Sequence, residues 1–201
     1  MGTCARAAPN RAAVASAHPL ASEAGVEMLA RGGNAFDAAV AVSAALGVVE
    51  PYGSGLGGGG FFLLHRASDG LDVLIDAREV APAAASEGMY LDASGEPIPG
   101  ASRNGPLAAG IPGLPAALAH LAENYGRLPL SESLQPAIRL AEQGFPAYDW
   151  HLTRLDRRAE NMNDAALAVF LPAGATPAQG SPVRQVDLGE TLRVLASAGR
   201  D

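Results

Sequence analysis

Lysine is absent from this chain; all 14 basic residues are arginines. That excludes any mechanism in which the chain itself supplies a lysine, whether Schiff-base chemistry or the lysine of a P-loop. Cysteine is nearly absent as well. Cys4 stands alone, so no intrachain disulfide can form and a cysteine-rich metal site is excluded. Aromatic residues make up only 5% of the 201 positions, which leaves alanine, leucine and valine to build a core. Positive charge is short: 14 arginines against 21 acidic residues give a net charge of −7, and no basic stripe offsets it, which argues against a nucleic-acid partner. No run reaches the ~18 consecutive apolar residues of a membrane span. Met1 to Ala13 lacks the apolar stretch of a signal peptide, so the chain as given reads as soluble and cytoplasmic, with a disordered N-terminus over 1–13.

What is present is ample apolar content, 48%, arranged in short periodic segments. Val14 to Ala17 reads as a short strand. Leu20 to Arg31 carries a helical stripe stopped by Gly32-Gly33, and Asn34 is placed to cap the next helix. Ala35 to Val49 is apolar on nearly every side and reads as a buried helix, with Asp37 in its first turn, where the helix dipole favours negative charge. Phe61 to Leu64 and Leu71 to Ile75 are strand-like, and Asp69-Gly70 between them supplies hairpin turn chemistry. Ala81 to Pro106 reads as a long irregular connection. Beyond it, helices are expected over Leu114–Tyr125, Ser131–Gln143, Tyr148–Met162 and Leu188–Ala198, the last with Asp187 as N-cap. The order of strand, buried helices, hairpin and then helices points to a layered α/β (α+β) class.

Six of the eight residues from Gly53 to Gly60 are glycine, held between two apolar segments. Glycine loses the most backbone entropy on folding, so such a run implies unusual dihedrals or a backbone that something approaches closely. Gly53, Gly55 and Gly58 satisfy the G-x-G-x-x-G spacing of a dinucleotide loop, but that loop follows a strand and opens a helix. Here a helix precedes and a strand follows, so the nucleotide reading fails on context. Ser54 lacks the G-x-S-x-G spacing of a nucleophile elbow. His18, His65, His120 and His151 show no metal-ligand spacing and read as satisfied or solvated. No metal and no cofactor are expected.

Arg78, in Asp76-Ala77-Arg78-Glu79-Val80-Ala81-Pro82, follows a strand-like run near the glycine-rich backbone. Its forked guanidinium suits bidentate recognition of a carboxylate. An internal ion pair with Asp76 or Glu79 is the plainer reading of the residues alone.

A longer pattern bears on that choice. The chain holds Ala17-His18-Pro19-Leu20-Ala21-Ser22, then Gly32-Gly33-Asn34-Ala35-Phe36-Asp37-Ala38-Ala39-Val40-Ala41, then Val49-Glu50-Pro51. The glycine run to Phe61, Asp76 to Pro82, Gly110-Ile111-Pro112-Gly113, Tyr125-Gly126 and Pro136-Ala137-Ile138 follow in unbroken order. Over about residues 14 to 145 this succession resembles the large-subunit half of the γ-glutamyltransferase (γ-glutamyltranspeptidase, glutathione hydrolase) family. The resemblance implies part of an N-terminal-nucleophile hydrolase with an α-β-β-α core and a helical second half. It implies self-cleavage of a precursor, after which the new N-terminal threonine of the small subunit attacks a γ-glutamyl amide such as glutathione. Water or an amino acid then takes the γ-glutamyl group from the acyl-enzyme. The same resemblance gives Arg78 the role of gripping the substrate's α-carboxylate.

The family's Thr-Thr-His stretch does not occur here: the threonines are Thr3, Thr153, Thr176 and Thr191. The nucleophile is therefore expected outside this chain, and the chain alone is expected to be inactive. Residues 14–201 are expected to form the N-terminal part of an incomplete γ-glutamyltransferase-like domain, α/β over about 14–110 and helical over about 111–201. The remainder of the precursor, including the small subunit, is the expected partner, and apolar surface intended for it is expected to be exposed. Family members are often periplasmic or secreted, which leaves the compartment open. A cephalosporin or glutaryl acylase, another amidohydrolase, and a non-catalytic scaffold or interaction module are the alternatives.

Overall fold

Helix formation begins where His18 and Pro19 set it up: the His18 Nδ1 accepts from the Leu20 N–H at 3.2 Å, and Pro19 occupies a first-turn position where no backbone donor is needed. The protein, seen in a computed structural model that describes residues 12–199, continues as α1 (Pro19–Ala30), α2 (Ala35–Val49), β1 (Gly60–Arg66) and β2 (Leu71–Ala77). The helical part follows as α3 (Leu114–Asn124), α4 (Leu130–Ser133) and α5 (Gln135–Gln143), then β3 (Phe145–Pro146), α6 (Asp149–Asp156), α7 (Asp164–Phe170), β4 (Pro182–Val183) and α8 (Val186–Ala198). Of the N-terminal stretch expected to be disordered, residues 1–11 lie outside the described residues, while Ala12 and Ala13 are exposed and irregular.

Gly32, at φ +89°, turns the chain from α1 into α2, and Asn34 caps α2 as its sequence position foretold. The Asn34 side chain accepts from Phe36 and Asp37 N–H groups, and Asp37 Oδ2 accepts from the Asn34 N–H at 2.7 Å, closing a capping box. The two helices pack through small side chains, Ala21, Ala24, Ala41 and Ala45 around Met28. At Gly25 a Cβ would stand 2.7 Å from Val42 Cγ2, so glycine sets how closely they approach. The other side of α2 supplies Val40, Ala44, Val48 and Val49 to a core shared with Leu118, Leu121, Leu134, Ile138, Phe145 and Leu192. A mostly apolar α2 is thus buried between two layers of helices and sheet.

The antiparallel hairpin β1–β2 lays Phe62, Leu64, Val73 and Ile75 on that core. Its other face is bare: Phe61 is 62% exposed, Leu63 81% and Leu74 64%. The layered mixed α/β class holds, with a helical layer on one side of the hairpin and an apolar face on the other.

Several expected elements differ. Val14 to Ala17 is not a strand; it pairs with no described strand and instead packs Val14 against Gly25 on α1. The helix expected over Ser131–Gln143 is two, because Pro136 has no N–H to continue the ladder and instead opens α5. Tyr148–Met162 shortens to α6 plus a 3₁₀ turn at Ala159–Asn161. Asp187 lies within the first turn of α8, not at its cap; Gln185 takes the cap position and sends its Nε2 into the core to donate to the Val48 carbonyl at 2.7 Å. The two-residue pair Phe145–Pro146 with Pro182–Val183 was invisible in the pattern, being too short for any periodicity.

Candidate functional site

Where α2 ends, the glycine run leads the chain along one wall of a cleft of ≈ 550 Å³. None of its six glycines has a positive φ. The requirement for glycine is one of contact, and it is concentrated at one position. A Cβ at Gly59 would lie 2.2 Å from the Ala77 carbonyl oxygen and 2.9 Å from Arg78 Cα, whereas at Gly53, Gly55, Gly57 and Gly60 it would meet open space. Gly59 lets β1 run hard against the end of β2, and the remaining glycines leave the cleft wall bare of side chains.

The opposite side of Ala77–Arg78 is crowded in the same way. A Cβ at Gly113 would stand 2.2 Å from the Ala77 carbonyl oxygen, and one at Gly110 would stand 2.9 Å from Glu79 Cβ. Val80 and Ile111 exchange backbone hydrogen bonds of 3.2 and 2.8 Å, and the Gly58 carbonyl accepts from both Gly113 and Leu114 N–H groups at 3.1 Å, capping α3. Residues 77–80 are therefore clamped between the glycine run and the segment Gly110–Gly113. The glycines at 110 and 113 were legible as a motif, but only the fold shows what they clamp.

Arg78 projects from that clamp into the cleft, which it lines together with the glycine run, Glu79, Tyr52 and Leu114. Its side chain is 56% exposed. Nη2 lies 3.2 Å from Glu79 Oε2, without the alignment of a hydrogen bond. Asp76 does not touch the guanidinium; its Oδ1 accepts from the Arg78 backbone N–H at 3.0 Å. Both sequence alternatives thus have a footing: the neighbour Glu79 sits beside the guanidinium, and most of the fork still faces the cleft. A half-exposed ion pair contributes little and leaves donors for a second carboxylate.

The loop entering the run is tied down by phenols. Tyr148 Oη donates to the Val49 carbonyl at 2.8 Å and lies 2.8 Å from Tyr52 Oη, which is itself 3.2 Å from Glu50 Oε1. Burial, then the mutual Tyr52–Tyr148 contact, pushes the Tyr148 phenol far up, and burial likewise raises Tyr52, so both stay protonated. Nothing in the spacing of Tyr52 and Tyr148 signalled this pairing across 96 residues.

The histidines are dispersed. His18 caps α1, His65 pairs with Asp72 at 2.8 Å on the bare hairpin face, and His120 meets Asn124. His151 departs from the expectation of a satisfied or solvated ring: it is 2% exposed and neither ring nitrogen has a partner among the described residues. Among the described residues no three His, Cys, Asp or Glu side chains gather as metal ligands, and no helix is long and apolar enough to cross a membrane.

The sequence model of the gamma-glutamyltranspeptidase family matches residues 21–201. The chain belongs to that family. It is 40% identical over 190 residues to the glutathione hydrolase proenzyme of Bacillus subtilis and 38% identical over 191 residues to that of Escherichia coli. These matches cover 94% of the chain and 32% and 33% of the relatives, so it spans about a third of their length. The crystal structure of Helicobacter pylori gamma-glutamyltranspeptidase superimposes with a TM-score of 0.90 at 38% identity, covering 94% of this chain and 54% of that one. Cephalosporin acylase from Bacillus halodurans superimposes with a TM-score of 0.79 at 31% identity, covering 94% and 38%. The family's fold is thus present in the helices and hairpin described above, as the resemblance implied.

Proposed function

We propose that this chain supplies the carboxylate-gripping wall of a γ-glutamyltransferase-like hydrolase acting on glutathione or related γ-glutamyl amides. The observation that carries the reading is Arg78: a clamped backbone holds a half-exposed guanidinium over a cleft whose facing wall is bare glycine backbone. A carboxylate can approach such a wall without steric cost and receive two parallel N–H bonds. Each charge-assisted bond of this kind is worth about 1.5–3 kcal/mol. The role of this chain is then to bind and orient the donor's α-carboxylate.

The acyl transfer follows from the family. A threonine in a part of the protein outside this sequence, activated by its own α-amine, attacks the γ-carbonyl, and the amine leaves. Water or an amino acid then attacks the ester and regenerates the hydroxyl. On this reading residues 14–201 form the N-terminal part of the domain. The remainder of the precursor, with its small subunit, covers the apolar hairpin face of Phe61, Leu63 and Leu74 and extends the layers to α-β-β-α.

In the protein bearing the Thr-Thr-His stretch, Arg78→Lys is expected to raise KM for a γ-glutamyl anilide about tenfold while kcat changes less, because an ammonium cannot reproduce the fork. An unchanged KM removes Arg78 from the site. A cephalosporin-type acylase is the second reading, favoured by the superposition on the Bacillus halodurans enzyme. A panel of γ-glutamyl, glutaryl and cephalosporin amides separates the two, and turnover of none of them would leave a scaffold.

A further inference from the structure

Beside Pro51 and Tyr52, which also line the cleft, lies a smaller cavity of ≈ 60 Å³. Tyr52 borders both cavities; the small one is otherwise shaped by His151 and Arg154 of α6, by Arg158, and by the apolar side chains of Met162 and Phe170. Among the described residues no carboxylate lines it. Neither Arg154 nor Arg158 forms an ion pair with a described residue. Arg154 lays its guanidinium over the Trp150 ring at 4.3 Å, and its Nε is buried with no hydrogen-bond partner. His151 is 2% exposed and both ring nitrogens are equally without partners.

Buried donors in folded proteins almost always have acceptors. Here two donor-bearing side chains border one cavity that holds no acceptor side chain able to neutralise a cation. We propose that this cavity is a binding site for a small monovalent anion of chloride or formate size, held by Arg154 and the His151 ring with Arg158 at its rim. Size sets the class. At ≈ 60 Å³ against ≈ 550 Å³ for the cleft, the space suits an ion of a few atoms. Charge sets the sign, because a cation would meet two guanidiniums, and an apolar occupant would leave the Arg154 and His151 donors unsatisfied. Burial lowers the pKa of His151, so at neutral pH its ring presents one N–H donor without adding charge.

The site adjoins the cleft through Tyr52, which anchors the loop that enters the glycine run. The site does not depend on the proposed hydrolase activity, so the two proposals fail independently.

The test uses the full-length protein. Crystals soaked in sodium bromide are read by anomalous scattering, and Tm is measured in sodium chloride against sodium gluconate at fixed ionic strength. An anomalous peak between Arg154 and His151 is expected, together with a Tm that rises with the logarithm of chloride concentration and not with gluconate. Arg154→Gln and the exposed-site variant Arg158→Gln should each shift the chloride needed for a given rise by about tenfold or more, the loss of one charge-assisted bond. Because Arg158 is exposed, its variant keeps the test meaningful even if Arg154→Gln fails to fold. A cavity filled by water alone overturns the proposal, as do equal midpoints in chloride and gluconate or an unchanged chloride response in Arg158→Gln.

Discussion

At its N-terminal end, helix α2 begins on a carboxylate that is fully buried and fully bonded. Asp37 accepts from Asn34 N–H at 2.7 Å, from Arg127 N–H at 3.1 and 3.0 Å, and from Leu128 N–H at 3.1 Å. The glycines around it are there because nothing larger fits. A Cβ at Gly126 would stand 2.6 Å from Asp37 Oδ1, and one at Gly33 would stand 2.8 Å from the Met28 carbonyl. At its C-terminal end the same helix runs into six glycines of which one is sterically required, beside a cleft and a buried histidine without partners. One end of the helix is a knot that joins segments 90 residues apart. The other borders an open cleft. Tight polar satisfaction marks the first end, and unfilled space and unpartnered donors mark the second.

The sharpest way to break this contrast is to remove the knot. Asp37→Ala leaves buried N–H groups of Asn34, Arg127 and Leu128 without acceptors, and is expected to cost about 3 kcal/mol or more in a urea melt. A cost below about 1 kcal/mol would mean that the carboxylate is not what joins these segments. Gly59→Ala comes next, at about 2 kcal/mol from overpacking, and it should also raise KM for a γ-glutamyl anilide in the full protein because the Ala77–Arg78 backbone must move. An unchanged KM in this variant would show that the clamp does not position Arg78.

At the same open end, His151 predicts a pH dependence. Burial holds its folded pKa below the ordinary 6.5, so as pH falls through 6.5 the unfolded chain takes up a proton that the folded one does not. Stability is then complete above about 6.5 and declines below it until the folded pKa is passed. The slope is no steeper than about 1.4 kcal/mol per pH unit for this one proton. His18, also lowered chiefly by burial, acts in the same direction. In His151→Phe the slope between pH 6.5 and 5 should flatten while stability at pH 8 stays close to wild type; an unchanged slope would assign the dependence elsewhere. The smallest effect belongs to Gly57→Ala, within about 0.5 kcal/mol, since its Cβ meets nothing. If Gly57→Ala proved as costly as Gly59→Ala, the glycine run would have to be read as uniformly strained.

Much of the fold was legible because its signals are local. Asn34, Gly32 and the apolar run Ala35–Val49 specify a capped helix within a few residues of one another, and Asp69-Gly70 between strand-like runs specifies a hairpin. Failures came where a local signal had no partner or a stronger competitor. Val14–Ala17 is extended in character but has no strand beside it, and Pro136 outweighs the stripe that crosses it. At the cleft, Arg78 and the glycine run could be named from the chain alone, but Tyr52, Tyr148 and His151 could not, because their meeting depends on α6 packing under the end of α2.

The amino-acid sequence alone determined the family, the caps, the helices of the first half and the absence of lysine, metal-ligand spacing and a Thr-Thr-His stretch. These are properties of residue types and of neighbours three or four apart. Only the tertiary structure decided which glycines are indispensable, why Asp37 is buried, and where the unpartnered donors gather. Each of those depends on distances between segments far apart in the chain, such as Gly59 with Ala77 and Asp37 with Arg127, and no local pattern encodes such a distance.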